Sequence, residues 1–553
     1  MVTGILNNIH FNNLKGDLFG GLTAAIVSLP LALAFGVASG AGAVAGLYGA
    51  VFVGLFAALF GGTSTLISEP TGPMTVVMTA VLTSLIATNP DQGLAMAFTV
   101  VMIAGLFQIL LGVMKLGKYI TLMPYSVISG FMSGIGVILI LLQLAPFLGQ
   151  DTPSGGVSAT LFALPDLWNN IQPVETFLGV LTLCVLFFMP KKWARYAPPQ
   201  LLALILGTAV SLWFFSDVEI RRIGEIPLGL PSLVMPTFTA DQITRMILDG
   251  IVLGTLGCID ALLTAVISDS LTRQEHRSDK ELVGQGIGNM VSGLFGGLPG
   301  AGATMGTVVN IQAGAQSALS GVIRALVLLV VILGAARLTE NIPLAVLAGI
   351  ALKVGLNILD WSFVKRAHVV SWQAAGIMYG VMLLTIFVDL IVAVGIGVFI
   401  ANIITIEQLS ALQSKNVKSI TDSDDRILLN EEEKGLLKSL NNQVLLVYFS
   451  GPMIFGVSKA IAREHRAIER YAAVLLDLSD VPHMDTTVSL AIENMVKEAV
   501  ERKREVYMVR PGKQAFDTLE KLGVFEMMPL EYVKGSRLEA LKLAQSRTVV
   551  QSS

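Results

Sequence analysis

The sequence predicts a polytopic, all-α membrane domain of about fourteen segments, followed by a small α/β domain. Three observations carry that prediction. Of the 553 residues, 53% are hydrophobic and only 14% charged, and the mean hydropathy is +0.71. So few charges could hardly cover the surface of a soluble protein of this length. The charges are also uneven, sparse as far as about residue 406 and ordinary beyond it. Uncharged runs of membrane length recur in the first part. Leu18 to Ala58 holds no charged side chain in about forty residues, enough for two crossings.

In chain order, apolar runs punctuated by Pro, Gly and charge place crossings near 18–37, 44–60, 71–87, 94–113, 124–147, 173–190 and 199–216. A second series follows near 245–268, 281–297, 302–313, 318–336, 342–358, 372–388 and 390–406. With a cytoplasmic N-terminus, the loops after even-numbered crossings should hold the Lys and Arg. They hold Lys115 and Lys118, then Lys191, Lys192 and Arg195, then Arg273, Arg277 and Lys280, then Lys365 and Arg366. The opposite loops hold little beyond Arg221, Arg222 and Arg337. Both termini are therefore expected in the cytoplasm. Met1 to Lys15 is polar, lacks a cleavable signal pattern and leads directly into the first crossing.

The third and tenth segments are unusual. The third opens Ser68-Glu69-Pro70-Thr71-Gly72-Pro73-Met74-Thr75, and the tenth Pro299-Gly300-Ala301-Gly302-Ala303-Thr304-Met305-Gly306-Thr307. Each begins a helix too short for about 30 Å of hydrocarbon. Each is also the third of its series of seven. Interrupted segments at matching positions point to a 7+7 inverted repeat with a site at the midplane, the alternatives being re-entrant loops or Gly-rich packing contacts.

Two half-helix starts facing each other present unpaired N–H groups and positive dipole ends, an anion site that needs no Arg or Lys. Residues 281 to 323 contain neither. Thr71, Thr75, Thr304 and Thr307 place hydroxyls beside those N–H groups, although helix capping would use Thr equally well. Gly72, Gly300 and Gly302 allow close backbone approach. In the eighth segment Asp260 is the one ionisable residue deep in an apolar run, at a cost of roughly 2.5–3.5 kcal/mol on insertion scales. Something must neutralise it. Thr264 lies on the same helical face, four residues on. Carboxylate, hydroxyl and loop carbonyls are hard ligands suited to sodium, and a bound cation would draw the anion in, which is the basis of symport. A protonated Asp260 in a proton relay is the competing reading; Thr264 favours the cation.

The remaining residues are less specific. Glu69 either positions the broken helix or forms a structural ion pair; Arg324 opens the eleventh crossing and is expected to snorkel. Asp389 suits helix capping. Cys184 and Cys258 read as buried free thiols, and His465 and His483 as surface residues. Residues 407–442, with Asp422, Asp424, Asp425 and Glu431 to Glu433, read as a linker or short surface helix between a transmembrane domain over 1–406 and a soluble domain over 443–553. In that domain Val444–Phe449, Ala473–Leu478 and Glu505–Val509 read as strands, with helices at Ser458–Tyr471 and Thr487–Lys503. The net charge of −3 carries no basic stripe for nucleic acid. No nucleophile–base pair, phosphate loop or metal-ligand cluster suggests an enzyme or an ATP-driven pump.

These residues resemble the SulP family of anion transporters along essentially the whole chain. Gly16 to Ala25 with Leu29-Pro30 resembles its opening signature, and Asp389-Leu390 with Val394 to Val398 its closing one. Leu476-Asp477-Leu478-Ser479 and Met484-Asp485-Thr486-Thr487 resemble a STAS domain. Ser68 to Thr75, Leu256 to Thr264 and Gly300 to Val309 are similar to the family's sodium-dependent bicarbonate carriers. The resemblance implies a core bundle moving against a gate bundle in an elevator-like way, dimerisation through STAS domains, and a multi-pass protein of the plasma (inner) membrane. It implies sodium, as co-transported ion rather than cofactor, at Asp260, Thr264, Gly302 and Thr304, and bicarbonate at Thr71 and Ala303. Gly72 and Thr307 join the anion site from the residue reading.

Leu31 departs from the family, where many members have Gln after the proline; it removes a polar group and argues against a larger oxyanion such as sulfate. Pro299 stiffens the tenth-segment turn. Thr486 stands where related anti-sigma-factor antagonists carry a phosphorylatable Ser. The expected activity is inward Na⁺/HCO3⁻ symport. A proton-coupled sulfate or carboxylate symporter and a gated anion channel are the alternatives.

Overall fold

A computed structural model describes the chain except for residues 1–5, 121–123, 154–155, 191–197, 225–230, 335–338, 389, 415–416, 421–428, 441–442, 455–456, 458–460, 462–470 and 552–553. The expectations for Lys191, Lys192, Arg195, Arg337, Asp389, Asp422, Asp424, Asp425, His465 and most of Ser458–Tyr471 lie outside the described residues. The chain forms two compact units, Met1–Phe399 and Ile400–Ser553.

Every predicted crossing overlies a helix. The first four are α1 (Leu14–Ala38), α2 (Ala43–Phe60), α3 (Gly72–Thr88) and α4 (Gly93–Val113), with strand β1 (Ser68–Glu69) just before α3. Next come α5 (Tyr125–Phe147), α6 (Gly156–Asn169), α7 (Pro173–Phe188) and α8 (Pro199–Phe214). The second series is α9 (Ile243–Thr272), α10 (Ser278–Leu294), strand β2 (Ala301–Gly302), α11 (Thr304–Gln312), α12 (Leu319–Gly334), α13 (Leu344–Ile358), α14 (Trp372–Phe387) and α15 (Leu390–Ser414). By length and composition α1, α2, α4, α5 and α9 are each long and apolar enough to span a bilayer. Helix α6 had no predicted counterpart. Its polar flank masks it as a span, and it meets α7 at 113° where Pro173 starts the next helix.

The helices pack as two groups. Helices α1–α4 and α9–α12 form one: α10 lies along α4 and α2, α9 along α4, and α12 along α1 and α2. Helices α5–α8, α13 and α14 form the other, with α13 and α14 against α5, and α7 between α8 and α13. Asp17 stitches the first group, its carboxylate accepting from the backbone N–H groups of Gln316 (2.8 Å) and Ser317 (3.0 Å) and from the Ser317 hydroxyl (2.7 Å). Cys258 is buried, whereas Cys184, expected to be buried, is exposed on α7. An all-apolar helix carries no record of which face meets its neighbours.

The second unit is an α/β body. Strands β3 (Val417–Ile420), β4 (Val444–Ser450), β5 (Ala473–Asp480), β6 (Glu505–Val509) and β7 (Val533–Lys534) form one sheet in that order. Only β3 is antiparallel to its neighbour; the others pair in parallel. The central strands are buried almost throughout, matching their unbroken Val/Leu runs. Within the stretch expected to be linker, β3 joins this sheet, and Asn430 and Glu433 form a capping box on helix α16 (Glu431–Ser439). Helix α17 (Thr486–Glu501) starts on Asp485, whose side chain accepts from Val488 N–H at 2.8 Å. Thr486 and His483 are exposed.

Candidate functional site

The two Pro/Gly-rich turns cross. Strands β1 and β2 pair antiparallel, Ser68 against Gly302 and Glu69 against Ala301. Helices α3 and α11 start immediately beyond, with Thr71 and Ala303 as N-caps, and neither cap residue's side chain bonds its helix. The first-turn N–H groups of both helices thus lack a side-chain cap. From this shared origin the helices diverge. Thr79 of α3 donates to the Ala38 carbonyl at the C-terminal end of α1 (3.3 Å). Gly314, just past α11, accepts from the Asn13 amide at the N-terminal end of α1 (2.7 Å). Helix α1 has 25 residues, about 37 Å at 1.5 Å each, so the half-helices run to opposite ends of a membrane-length rod.

Asp260 lies 8% exposed beside these starts, and the Thr71 hydroxyl donates to its Oδ2 at 2.7 Å. One turn on, Thr264 is fully buried; its hydroxyl donates to the Gly302 carbonyl (2.8 Å) and lies 3.0 Å from the Thr304 hydroxyl. Gly302 permits that closeness, because a Cβ there would stand 3.0 Å from the Thr264 Cβ. A cavity of about 480 Å³ opens against this cluster, lined by Thr71, Gly72, Asp260, Gly302, Ala303 and Thr304. Its other walls include Leu31 and Phe35 of α1, Glu69 of β1, Met132 of α5, Val308 and Val309 of α11, and Val354, Asn357 and Ile358 of α13. Of the eight residues assigned to the two ion sites from sequence, six line the cavity and Thr264 stands directly behind it. Thr307 stands apart: fully buried, its hydroxyl accepts the Ile67 N–H at 3.0 Å. Thr75 likewise serves backbone, donating to the Thr71 carbonyl at 2.8 Å.

A column of polar side chains on α10 holds the turns in place. Glu281 accepts from the N–H groups of Gly62 (2.8 Å) and Thr63 (2.9 Å), and Gln285 donates to the Ser68 hydroxyl (2.6 Å) and to Glu281 (2.8 Å). Asn289 bonds Gly300 twice, accepting its N–H (2.8 Å) and donating to its carbonyl (2.9 Å), and also donates to Gln108 (2.9 Å). The sequence reading missed these three residues. Their i, i+4 spacing along one face of a Gly-rich helix was the available signal. Asn289→Leu is expected to strand both Gly300 backbone groups, at a cost of about 1–3 kcal/mol. Thermal unfolding of the full chain in detergent checks this; an unchanged midpoint would contradict it.

Arg324 corrects an expectation. Rather than snorkelling, it is fully buried, and it pairs with Glu69, whose side chain is 3% exposed. It also donates to the Ser28 hydroxyl (3.1 Å) and to the carbonyls of Ala50 (2.7 Å) and Ser68 (2.9 Å). Helix α12 turns this face toward α1 and α2, too far inside for the side chain to reach water. Glu69 therefore takes the ion-pair role.

A helical membrane unit with a cavity at two opposed half-helix starts, a few polar groups set in apolar walls, has the architecture of a membrane transporter. The chain matches the sulfate permease family over residues 14–382 and the STAS domain over 438–535, and it belongs to the sulfate permease family. It is 66% identical over 538 residues to the bicarbonate transporter BicA of Synechocystis sp., covering 97% of this chain and 95% of the relative. The solved transmembrane domain of a cyanobacterium bicarbonate transporter BicA is 69% identical, covers 70% of this chain and 99% of its own, and superposes with a TM-score of 0.67. The overall structure of SLC26A9 is 19% identical with a TM-score of 0.84 over 98% of this chain and 92% of its own, a likeness of fold alone.

Proposed function

We propose that this protein takes up bicarbonate together with sodium, one Na⁺ and one HCO3⁻ moving inward, across the plasma (inner) membrane. The likeness to the BicA bicarbonate transporter supports the anion. The observation that best supports the pairing is the Asp260 carboxylate, bonded to Thr71 at one half-helix start and one turn from Thr264 against the other. Sodium then sits among Asp260, Thr264, Gly302 and Thr304. Bicarbonate sits at Thr71, Gly72 and Ala303, on uncapped N–H groups and helix dipoles. The cation cancels the carboxylate's repulsion of the anion, so each ion raises the other's affinity.

The two helix groups and the diverging half-helices support a 7+7 inverted repeat, in which the group bearing the cavity slides against the other in an elevator-like motion. The facing wall suits sliding, since Asn357 is the one polar side chain it contributes among Met132, Val354 and Ile358. Lys115, Arg277 and Lys280 line one groove, and Lys280 donates to the Leu6 carbonyl, which supports cytoplasmic termini. The soluble unit serves as a homodimerising STAS domain.

A 1:1 pairing moves no net charge, so a tenfold sodium gradient is worth about 1.4 kcal/mol, or tenfold accumulation. In sealed vesicles, labelled bicarbonate uptake by the purified chain should require an inward sodium gradient, persist at zero potential and compete poorly with sulfate. Uptake driven by a proton gradient without sodium would replace symport with sodium by symport with protons. Large uncoupled anion currents would point to a channel.

A further inference from the structure

We propose that the buried Glu69–Arg324 pair sets the resting charge of the transport cavity, and through that charge the dependence of the anion on sodium. Glu69 lines the same cavity as Asp260, and its Oε1 lies against the first turn of α11, 3.4 Å from where a Cβ on Gly306 would stand. A lone carboxylate there would occupy the positive end of the half-helix that the anion needs. Arg324 cancels it. The guanidinium is built in rather than incidental: a Cβ on Gly54 would stand 2.2 Å from its Nη1, so α2 leaves room for it.

Asp260 and Glu69 contribute two negative charges and Arg324 one positive, which leaves −1 in the empty cavity. One sodium brings it to zero, and only then does an anion meet no repulsion. With Glu69 neutral, Arg324 would supply that cancelling charge permanently. This inference rests on the sodium–bicarbonate reading above.

Glu69→Gln keeps an acceptor for Arg324 while removing the charge. In proteoliposomes its sodium half-saturation for bicarbonate uptake should rise roughly tenfold, the effect of removing one unit charge on the order of 10 Å away at an effective dielectric of about 20. A sodium-independent component of uptake should appear with it. The double variant Glu69→Gln/Arg324→Gln restores −1 and should return the sodium dependence close to native. A bracing role alone predicts less folded protein in the single variant, with the sodium half-saturation of the folded fraction unmoved. Sodium titration of thermal stability in detergent, against choline, reads the same shift without transport. An unshifted sodium dependence in Glu69→Gln, beside a sodium-dependent native protein, overturns this inference alone. A native protein that takes up bicarbonate without sodium overturns both it and the reading beneath it.

Discussion

Asp260→Asn is expected to abolish sodium-driven uptake while leaving the membrane unit folded. The amide keeps an oxygen to accept the Thr71 hydroxyl, now at 2.7 Å from Oδ2, so the contact across the two helices survives. What disappears is a full charge within contact distance of the proposed cation. At about 4 Å and an effective dielectric of 20, that charge is worth roughly 4 kcal/mol, about three decades in sodium affinity. The buried carboxylate also carries its own insertion cost, so its loss should not destabilise the fold. Uptake of labelled bicarbonate into vesicles, with and without a sodium gradient, measures the first half; monodisperse elution and an unfolding midpoint at or above native measure the second. Sodium-driven uptake retained by the variant would remove Asp260 from the cation site.

Arg324→Leu should be the most damaging single change to stability. It leaves Glu69 charged with no counter-ion at 3% side-chain exposure, and strips donors from Ser28, Ala50 and Ser68. Removing one partner of a buried pair costs about 3–5 kcal/mol, a large share of the roughly 5–15 kcal/mol that holds a domain together. Little folded protein should survive extraction into detergent. Neutralising both partners, as in Glu69→Gln/Arg324→Gln, should recover most of the loss. A native-like yield and midpoint for Arg324→Leu would mean that the pair is not the brace of the crossed turns.

The two variants also separate what could be read in residue order from what could not. Asp260 stood out because a single carboxylate in an apolar run has few structural excuses. The two half-helix starts stood out because Pro and Gly break helices wherever they occur, whereas Ala303 itself came only from the family resemblance. Arg324 was misjudged for the opposite reason: a charge near a helix end has a cheap route to water, and only the packing of α12 against α1 and α2 closes that route.

Properties carried by short stretches of chain were therefore legible at once: the fourteen apolar runs, the two interrupted helices, the central strands of the second unit, and the types of side chain at the cavity. Each depends on hydropathy, periodicity or backbone chemistry over at most about twenty residues. The crossing of β1 with β2 joins residues more than two hundred positions apart, as do the Glu69–Arg324 pair and the bond from Gln285 to Ser68. The Asn289–Gly300 bonds are close in sequence but depend on the same folded turn. Which face of an apolar helix turns inward is a property of its neighbours, and in a membrane protein water gives no guide, since lipid is as apolar as the core. That is why Thr307, chosen for its hydroxyl, turned out to hold backbone, and why Asn357 lines the cavity without having drawn notice.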